Sequence, residues 1–336
     1  MIVYQELASL SADLGFTPRT LYSVSRRTGR HYRPIQIPKG SGEYRELLVP
    51  DELLKRIQTR IYQRLLFMEP VSRYAMAYRP GGSVQRNAAP HVGKPMLLKL
   101  DIDHFFDHIT YPLVKEKVFP GERYSEANRI LLSVLCTCRG ALPQGAPTSP
   151  AISNLILREF DEKLGAWCRA GDITYTRYCD DMTFSGDFDP KPVIDYVSSE
   201  LGVLGFFLNR RKTVAARRGQ RQTVTGLIVN EKLRVPSGYK RRLRQELYYC
   251  MKYGIESHLS HVGSELSPDR CIASLLGQVS YVLSAEPGND EAARFRRWLL
   301  DERKRFHDRD NRTVEHALEN IPCSIEGTSG CRGECL

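Results

Sequence analysis

The 336 residues carry 49 Lys plus Arg against 39 Asp plus Glu, a net charge of +10, and 41% of them are hydrophobic. That apolar share is ordinary for a protein with a real core, and the length suits one large domain or two or three packed lobes. No apolar run approaches the roughly 20 residues a membrane helix needs, and Met1-Ile2-Val3-Tyr4-Gln5-Glu6 lacks the basic start of a secretory signal.

In chain order, Thr17-Pro18 reads as an N-cap with proline at the first helical position, opening a short helix that stops near Gly29. Pro34 to Pro50, with Lys39-Gly40-Ser41-Gly42 between two apolar stretches, predicts a hairpin. Leu53, Leu54, Ile57, Ile61, Leu65 and Leu66 recur at helical spacing from Asp51, the predicted cap, to Met68. Met96 to Ile102 reads as a buried strand, and Ile173 to Ser185 as two strands joined by a tight acidic turn. Thr223 to Val235 predicts a hairpin turning at Asn230-Glu231-Lys232. After Pro236 the pattern is helical, with Leu243, Leu247 and Met251 on one stripe, Tyr248 on the apolar side, and Lys240, Arg241 and Arg244 away from it. Further helices are expected near Asp269 to Ala285 and Asp290 to Phe306, and a mobile Gly-, Ser- and Cys-rich tail from Ile321. No internal repeat or low-complexity segment interrupts the chain.

The 9 cysteines are scattered and odd in number, which suits reduced thiols in a cytoplasmic protein. Cys323, Cys331 and Cys335 are too few and too unevenly spaced, with no histidine among them, for a convincing zinc site. The charge is local. Gly205 to Gly254 holds 13 Lys plus Arg and 2 Asp plus Glu, so this block carries +11 and the remainder of the chain nets −1. Such a block is either a nucleic-acid track or a solvated basic face.

The chemistry is concentrated in Tyr178-Cys179-Asp180-Asp181. Adjacent carboxylates on a turn repel one another unless a cation is present. Asp101 ends the apolar run Leu97-Leu98-Lys99-Leu100, where an unpaired charge would be expensive. Three such carboxylates make a hard oxygen site suited to Mg²⁺, and can hold two ions about 4 Å apart for in-line phosphoryl transfer.

Four segments in order are similar to the palm motifs of reverse transcriptases: Leu100-Asp101-Ile102-Asp103-His104-Phe105-Phe106, Pro143-Gln144-Gly145-Ala146-Pro147-Thr148-Ser149-Pro150, the Tyr-Cys-Asp-Asp turn, and Gly205-Phe206-Phe207-Leu208-Asn209 with Lys212-Thr213. The resemblance implies that Asp101, Asp180 and Asp181 bind two Mg²⁺ (Mn²⁺ as a substitute), with the Ile102 carbonyl as an extra ligand and Asp180 the firmer of the pair. Asp103 is left outside this trio. It further implies that Phe106 lies beneath the incoming sugar and excludes a 2′-hydroxyl. Gln144 would touch nucleotide or template, and Gly145 would let the backbone approach the base pair. Lys212 would protonate pyrophosphate or steady the triphosphate. Arg45 resembles an arginine that grips the triphosphate, a task suited to a guanidinium fork. His104 and His108 read as solvent-facing.

Asn87-Ala88-Ala89-Pro90-His91 and Val224-Thr225-Gly226 resemble the Asn-Ala-x-x-His and Val-Thr-Gly signatures of retron reverse transcriptases, so that Asn87, His91, Val224, Thr225 and Gly226 are expected at the RNA. The basic helix with Lys240, Arg241 and Arg244, together with Tyr239, Tyr249 and Tyr253, is expected to track a duplex. The resemblance spans about residues 15 to 310. It implies an α+β right-hand polymerase fold: an N-terminal region and fingers over 1–95, a palm of antiparallel strands over 96–236 with a fingers insertion around 111–150, a helical thumb over 237–320, and a flexible tail over 321–336. It implies copying of a cognate structured RNA into branched RNA–DNA from an internal guanosine 2′-hydroxyl, with an effector protein, in anti-phage defence. The other readings are another bacterial reverse transcriptase, of group II intron or diversity-generating type, and a non-catalytic RNA-binding scaffold. Little chain remains after residue 320 for a maturase's extra regions.

Overall fold

The computed structural model describes residues 3–38, 42 and 44–319. The chain divides into two compact units, Met1–Leu233 and Arg234–Leu336.

The first unit opens with α1 (Leu7–Leu14) and α2 (Pro18–Ser25), the latter capped by the Thr17 hydroxyl, which accepts from the Thr20 amide at 3.2 Å. The hairpin follows as β1 (Tyr32–Pro38) and β2 (Tyr44–Pro50), paired antiparallel from Tyr32↔Pro50 to Pro38↔Tyr44. Residues 39–41 and 43 lie outside the described residues. Asp51 caps α3 (Glu52–Ile61) through the Leu54 amide, and the chain continues as a π-helical turn over Tyr62–Leu66. Leu54, Ile57, Ile61, Leu65 and Leu66 are buried, as their spacing predicts, whereas Leu53 is exposed.

Next come α4 (Val84–Ala88), β3 (Met96–Asp101), α5 (Phe105–His108), α6 (Tyr111–Val118), α7 (Glu126–Cys136), α8 (Ser149–Ile156) and α9 (Arg158–Ala170). After them run β4 (Thr174–Tyr178), β5 (Asp181–Gly186), α10 (Pro190–Val203) and β6 (Val214–Arg217). The sheet has the order β4-β5-β3-β6, with every neighbouring pair antiparallel. Its register sets Met96 opposite Gly186 and Asp101 opposite Asp181. One face is closed by Phe160, Leu164 and Cys168 of α9 and by Val193, Val197 and Leu201 of α10, all buried, with Trp167 stacked on Tyr196 at 4.5 Å. Gly165 belongs here because a Cβ would lie 2.1 Å from the Tyr74 ring.

The last hairpin of this unit differs from its predicted form. Its strands are β7 (Thr223–Val224) and β8 (Leu227–Ile228), so the turn is Thr225-Gly226 and not Asn230-Glu231-Lys232. Thr225 has φ 43 and Gly226 φ 83, the pair of positive angles that matches the twist of two antiparallel strands. A β-branched residue is rarely tolerated there. Thr225 is, because its hydroxyl donates to the Val84 carbonyl at 3.1 Å.

The second unit contains α11 (Ser237–Tyr253), α12 (Ile255–His261), α13 (Pro268–Ala285) and α14 (Asp290–Glu319). The buried stripe of α11 is Leu243, Leu247 and Cys250; Met251, predicted to complete it, is 48% exposed. At about 100° per residue, position i+7 returns to within about 20° of the start, whereas i+8 lies about 80° away. Tyr248, also expected on the apolar side, is 53% exposed, because position i+5 lies about 140° from Leu243. Lys240 is bonded to both Glu286 oxygens at 2.8 and 2.9 Å, and Arg244 forks onto Glu291 at 2.7 and 2.6 Å. These two cations are therefore engaged within the helical unit, while Arg241 is exposed. Among the described residues no helix is long and apolar enough to cross a membrane. The tail and Cys323, Cys331 and Cys335 lie outside the described residues.

Candidate active site

The antiparallel register creates the site. Asp101 is the last residue of β3 and Asp181 the first of β5, so pairing of the two strands sets them opposite each other. Cys179 and Asp180 form a two-residue turn between β4 and β5, with Cys179 in the left-handed region at φ 62. Asp180 thus occupies the tip, and its carbonyl accepts from the Ile102 amide at 3.1 Å. That bond ties the tip to the residue after Asp101. On the other side Ile102 bridges to Leu208, and the Asp101 carbonyl accepts from the Asn209 amide at 2.8 Å.

The three carboxylates face one cavity of about 1330 Å³, together with Arg45, Ile102, Asp103, Phe106, Gln144 and Lys212. Ile102 is buried and Phe106 half-buried against Phe105, 5.3 Å between ring centres. Arg45 is exposed on β2. Gln144 is tied to that strand, its carbonyl accepting from the Leu48 amide at 2.8 Å. Gly145, φ 123, lies against the same strand: a Cβ there would meet the Leu48 carbonyl at 2.9 Å. Its bareness serves the approach of hairpin to loop.

The electrostatics are those of a site short of positive charge. Burial, then the charges of Asp180 and Asp101, push the Asp181 carboxyl up to about 6, although its side chain is open to the cavity. Asp101 is also raised, by burial first and by Asp180 against the opposing effect of Lys212. Lys212 Nζ donates to both Asp101 oxygens at 2.9 Å. Burial disfavours its charge, but Asp101, Asp180 and Asp181 outweigh that and raise its pKa. Among the described residues no three acidic, imidazole or thiol side chains already form a closed metal cage. Asp101 is engaged by an ammonium instead. The donor set nonetheless fits a hard cation: Asp101 and Asp181 have raised proton affinity beside Asp180, and a cation is seated on the most buried of the three.

Two neighbours went unseen in the sequence. Tyr78 lines the same cavity at φ 57, and its hydroxyl interacts with the Cys179 thiol; nothing in its local sequence marks it. Asn209 donates from Nδ2 to Asp103 Oδ1 at 3.0 Å, which accounts for the Asp103 side chain; it ended the fourth motif-like segment without being assigned a task. His104 is exposed, while His108 is half-buried with Nδ1 3.0 Å from the Asp103 carbonyl.

The two short signatures meet in space, but mostly inside the protein. Asn87 Nδ2 approaches Thr225 Oγ1 at 3.5 Å. His91 bridges the sheet, Nδ1 to Ser185 Oγ at 2.7 Å and Nε2 to Thr176 Oγ1 at 2.8 Å. Asn87, His91 and Val224 are buried, so the expected RNA contact is corrected for these three: in this arrangement they have no surface to offer. Thr225 is half-buried and Gly226 exposed. Burial, and secondarily Lys94, lowers the His91 pKa from 6.5 to about 3. The unfolded chain then takes up a proton below pH 6.5 that the folded chain refuses, so stability falls as pH drops through that value. From pH 7.5 to pH 5 the loss should be about 2 kcal/mol in urea unfolding. His91→Gln should remove that share, and identical slopes for the two proteins would contradict it.

A family profile described as reverse transcriptase (RNA-dependent DNA polymerase) matches residues 37–230. The retron Mx65 reverse transcriptase of Myxococcus xanthus is 36% identical over 296 residues, 79% of this chain and 68% of that protein. The retron Ec83 reverse transcriptase of Escherichia coli is 31% identical over 299 residues, 83% and 92% of the two chains. The retron Ec86 enzyme of the same species is 29% identical over 274 residues, 79% and 84%.

Proposed function

The chain belongs to the reverse transcriptases, RNA-directed DNA polymerases of right-hand fold, and to their retron type; we propose that it copies a cognate structured RNA into single-stranded DNA, beginning at the 2′-hydroxyl of an internal guanosine so that the product stays branched to the RNA. An effector protein and a role in anti-phage defence complete the proposal, by likeness to the family. The observation that supports it most is the meeting of Asp101, Asp180 and Asp181 at the end of one sheet, in a cavity large enough for a nucleotide.

In this reading the three carboxylates and the Ile102 carbonyl would hold two Mg²⁺, for which Mn²⁺ could substitute. When bound, the ions lower the pKa of the attacking hydroxyl and neutralise charge on the leaving pyrophosphate. The hydroxyl gives its proton to solvent as its oxygen bonds to the α-phosphorus and the bond to pyrophosphate breaks. Lys212 stands beside Asp101 with a proton to deliver to the leaving group or a charge to steady it. Phe106 lies under the sugar, where its ring excludes a 2′-hydroxyl. Gln144 offers an amide to nucleotide or template, and Arg45 a fork for the triphosphate. Arg241, Thr225 and Gly226 are the RNA-facing candidates with exposed surface.

The test is incubation of the purified chain with its cognate RNA, Mg²⁺ and deoxynucleotides. DNA should appear that stays joined to RNA after denaturation. Free DNA would overturn the branched start, and no incorporation on any RNA would overturn the polymerase. Binding of that RNA should weaken about 10-fold or more between 50 and 200 mM salt; salt-independent binding would remove the electrostatic track.

A further inference from the structure

The acidic turn has a support that lies wholly out of solvent. Arg177 on β4 and Asp161 on α9 are both fully buried. Arg177 Nε donates to Asp161 Oδ1 at 2.8 Å, and Nη2 to Oδ2 at 2.6 Å. Its remaining edge donates through Nη1 to the Cys179 carbonyl at 2.8 Å. The Tyr175 hydroxyl braces the same Asp161 Oδ1 at 2.8 Å. The backbone of Arg177 is pinned as well: its amide donates to the Tyr74 carbonyl at 2.8 Å, and its carbonyl accepts from Met76 at 2.7 Å.

An ion pair this deep is a poor source of stability, because desolvation of two charges offsets most of their attraction, and apolar side chains of similar volume do as well. Its third contact is what apolar side chains could not supply. Cys179 is a non-glycine residue at φ 62, a strained conformation that persists only where its surroundings enforce it. Its carbonyl belongs to the peptide that leads into Asp180, so fixing that oxygen fixes where the turn presents its carboxylates.

We infer that Arg177 and Asp161 are a positioning pair, which locks the Cys179–Asp180 peptide and so holds Asp180 and Asp181 towards Asp101 against their mutual repulsion. Neither touches substrate, and the inference rests on the polymerase reading of the site.

The test compares wild type with Asp161→Leu/Arg177→Met, which removes both buried charges, by hydrogen–deuterium exchange of the backbone and by deoxynucleotide incorporation. Exchange over residues 178–182 should quicken about 10-fold with β3 and β6 unchanged. Turnover should fall about 10- to 100-fold, with the KM for deoxynucleotide within about twofold. Should the double variant not fold, Arg177→Lys keeps a charge for Asp161 but lacks the fork, and the same pattern is expected. Faster exchange throughout the sheet, or turn exchange and turnover both unchanged, would overturn the inference. Exchange is read on the protein alone. A wild type that incorporates nothing would therefore sink the polymerase reading, while the exchange data still decide this one.

Discussion

Asp181→Asn, and equally Asp180→Asn, should lower deoxynucleotide incorporation by about 10³-fold or more, roughly 4 kcal/mol of barrier. An amide keeps the shape of the carboxyl but brings no negative charge to a pair of divalent cations. The same change should leave the metal-free protein at least as stable as wild type. The Asp181 carboxyl titrates near 6, above its ordinary value, so the folded state favours the proton. The stability this group contributes is complete below about pH 4 and is lost as pH rises through 6. Asp181→Asn should flatten that decline, and it acts in the opposite direction to His91. Added Mg²⁺ should then raise the melting temperature of wild type more than that of the variant. Single-turnover incorporation and melting curves with and without Mg²⁺ read both effects. Activity within tenfold of wild type would remove Asp181 from the catalytic trio.

Lys212→Ala should cost about 100-fold in turnover, close to 2.7 kcal/mol. Lys212 is the cation on Asp101 and lies among the charges of all three carboxylates. A lysine so placed stays protonated to high pH, so the alkaline limb of wild-type turnover reports its loss of a proton. If Lys212 delivers that proton, the variant loses turnover and the limb while the KM for deoxynucleotide holds. If it steadies the triphosphate instead, the KM rises. A variant with unchanged turnover and KM would leave Lys212 as no more than a partner for Asp101.

The trio was legible because its chemistry is local. Asp180 and Asp181 adjoin in the chain, and Asp101 stands out as a charge at the end of an apolar strand; pairing of that strand with β5 then brings them together. The hairpin of β1 and β2 and the cap at Asp51 were equally visible, for each depends on residues within a few positions of one another.

Composition, motif order and periodicity determined the family, the acidic site and the helical character of the second unit. Only tertiary structure decided which polar groups are consumed internally. Asn87 and His91 look like hydrogen-bonding residues free to meet RNA, yet the sheet hydroxyls of Thr176 and Ser185 take both nitrogens of His91. Lys240 and Arg244 look like phosphate contacts until Glu286 and Glu291, 46 and 47 residues onward, pair with them. Arg177 sits in an ordinary strand pattern, and its fork closes on a helix 16 residues back. Side-chain identity states what a group can bond; only the packed chain settles which partner reaches it before solvent or ligand does.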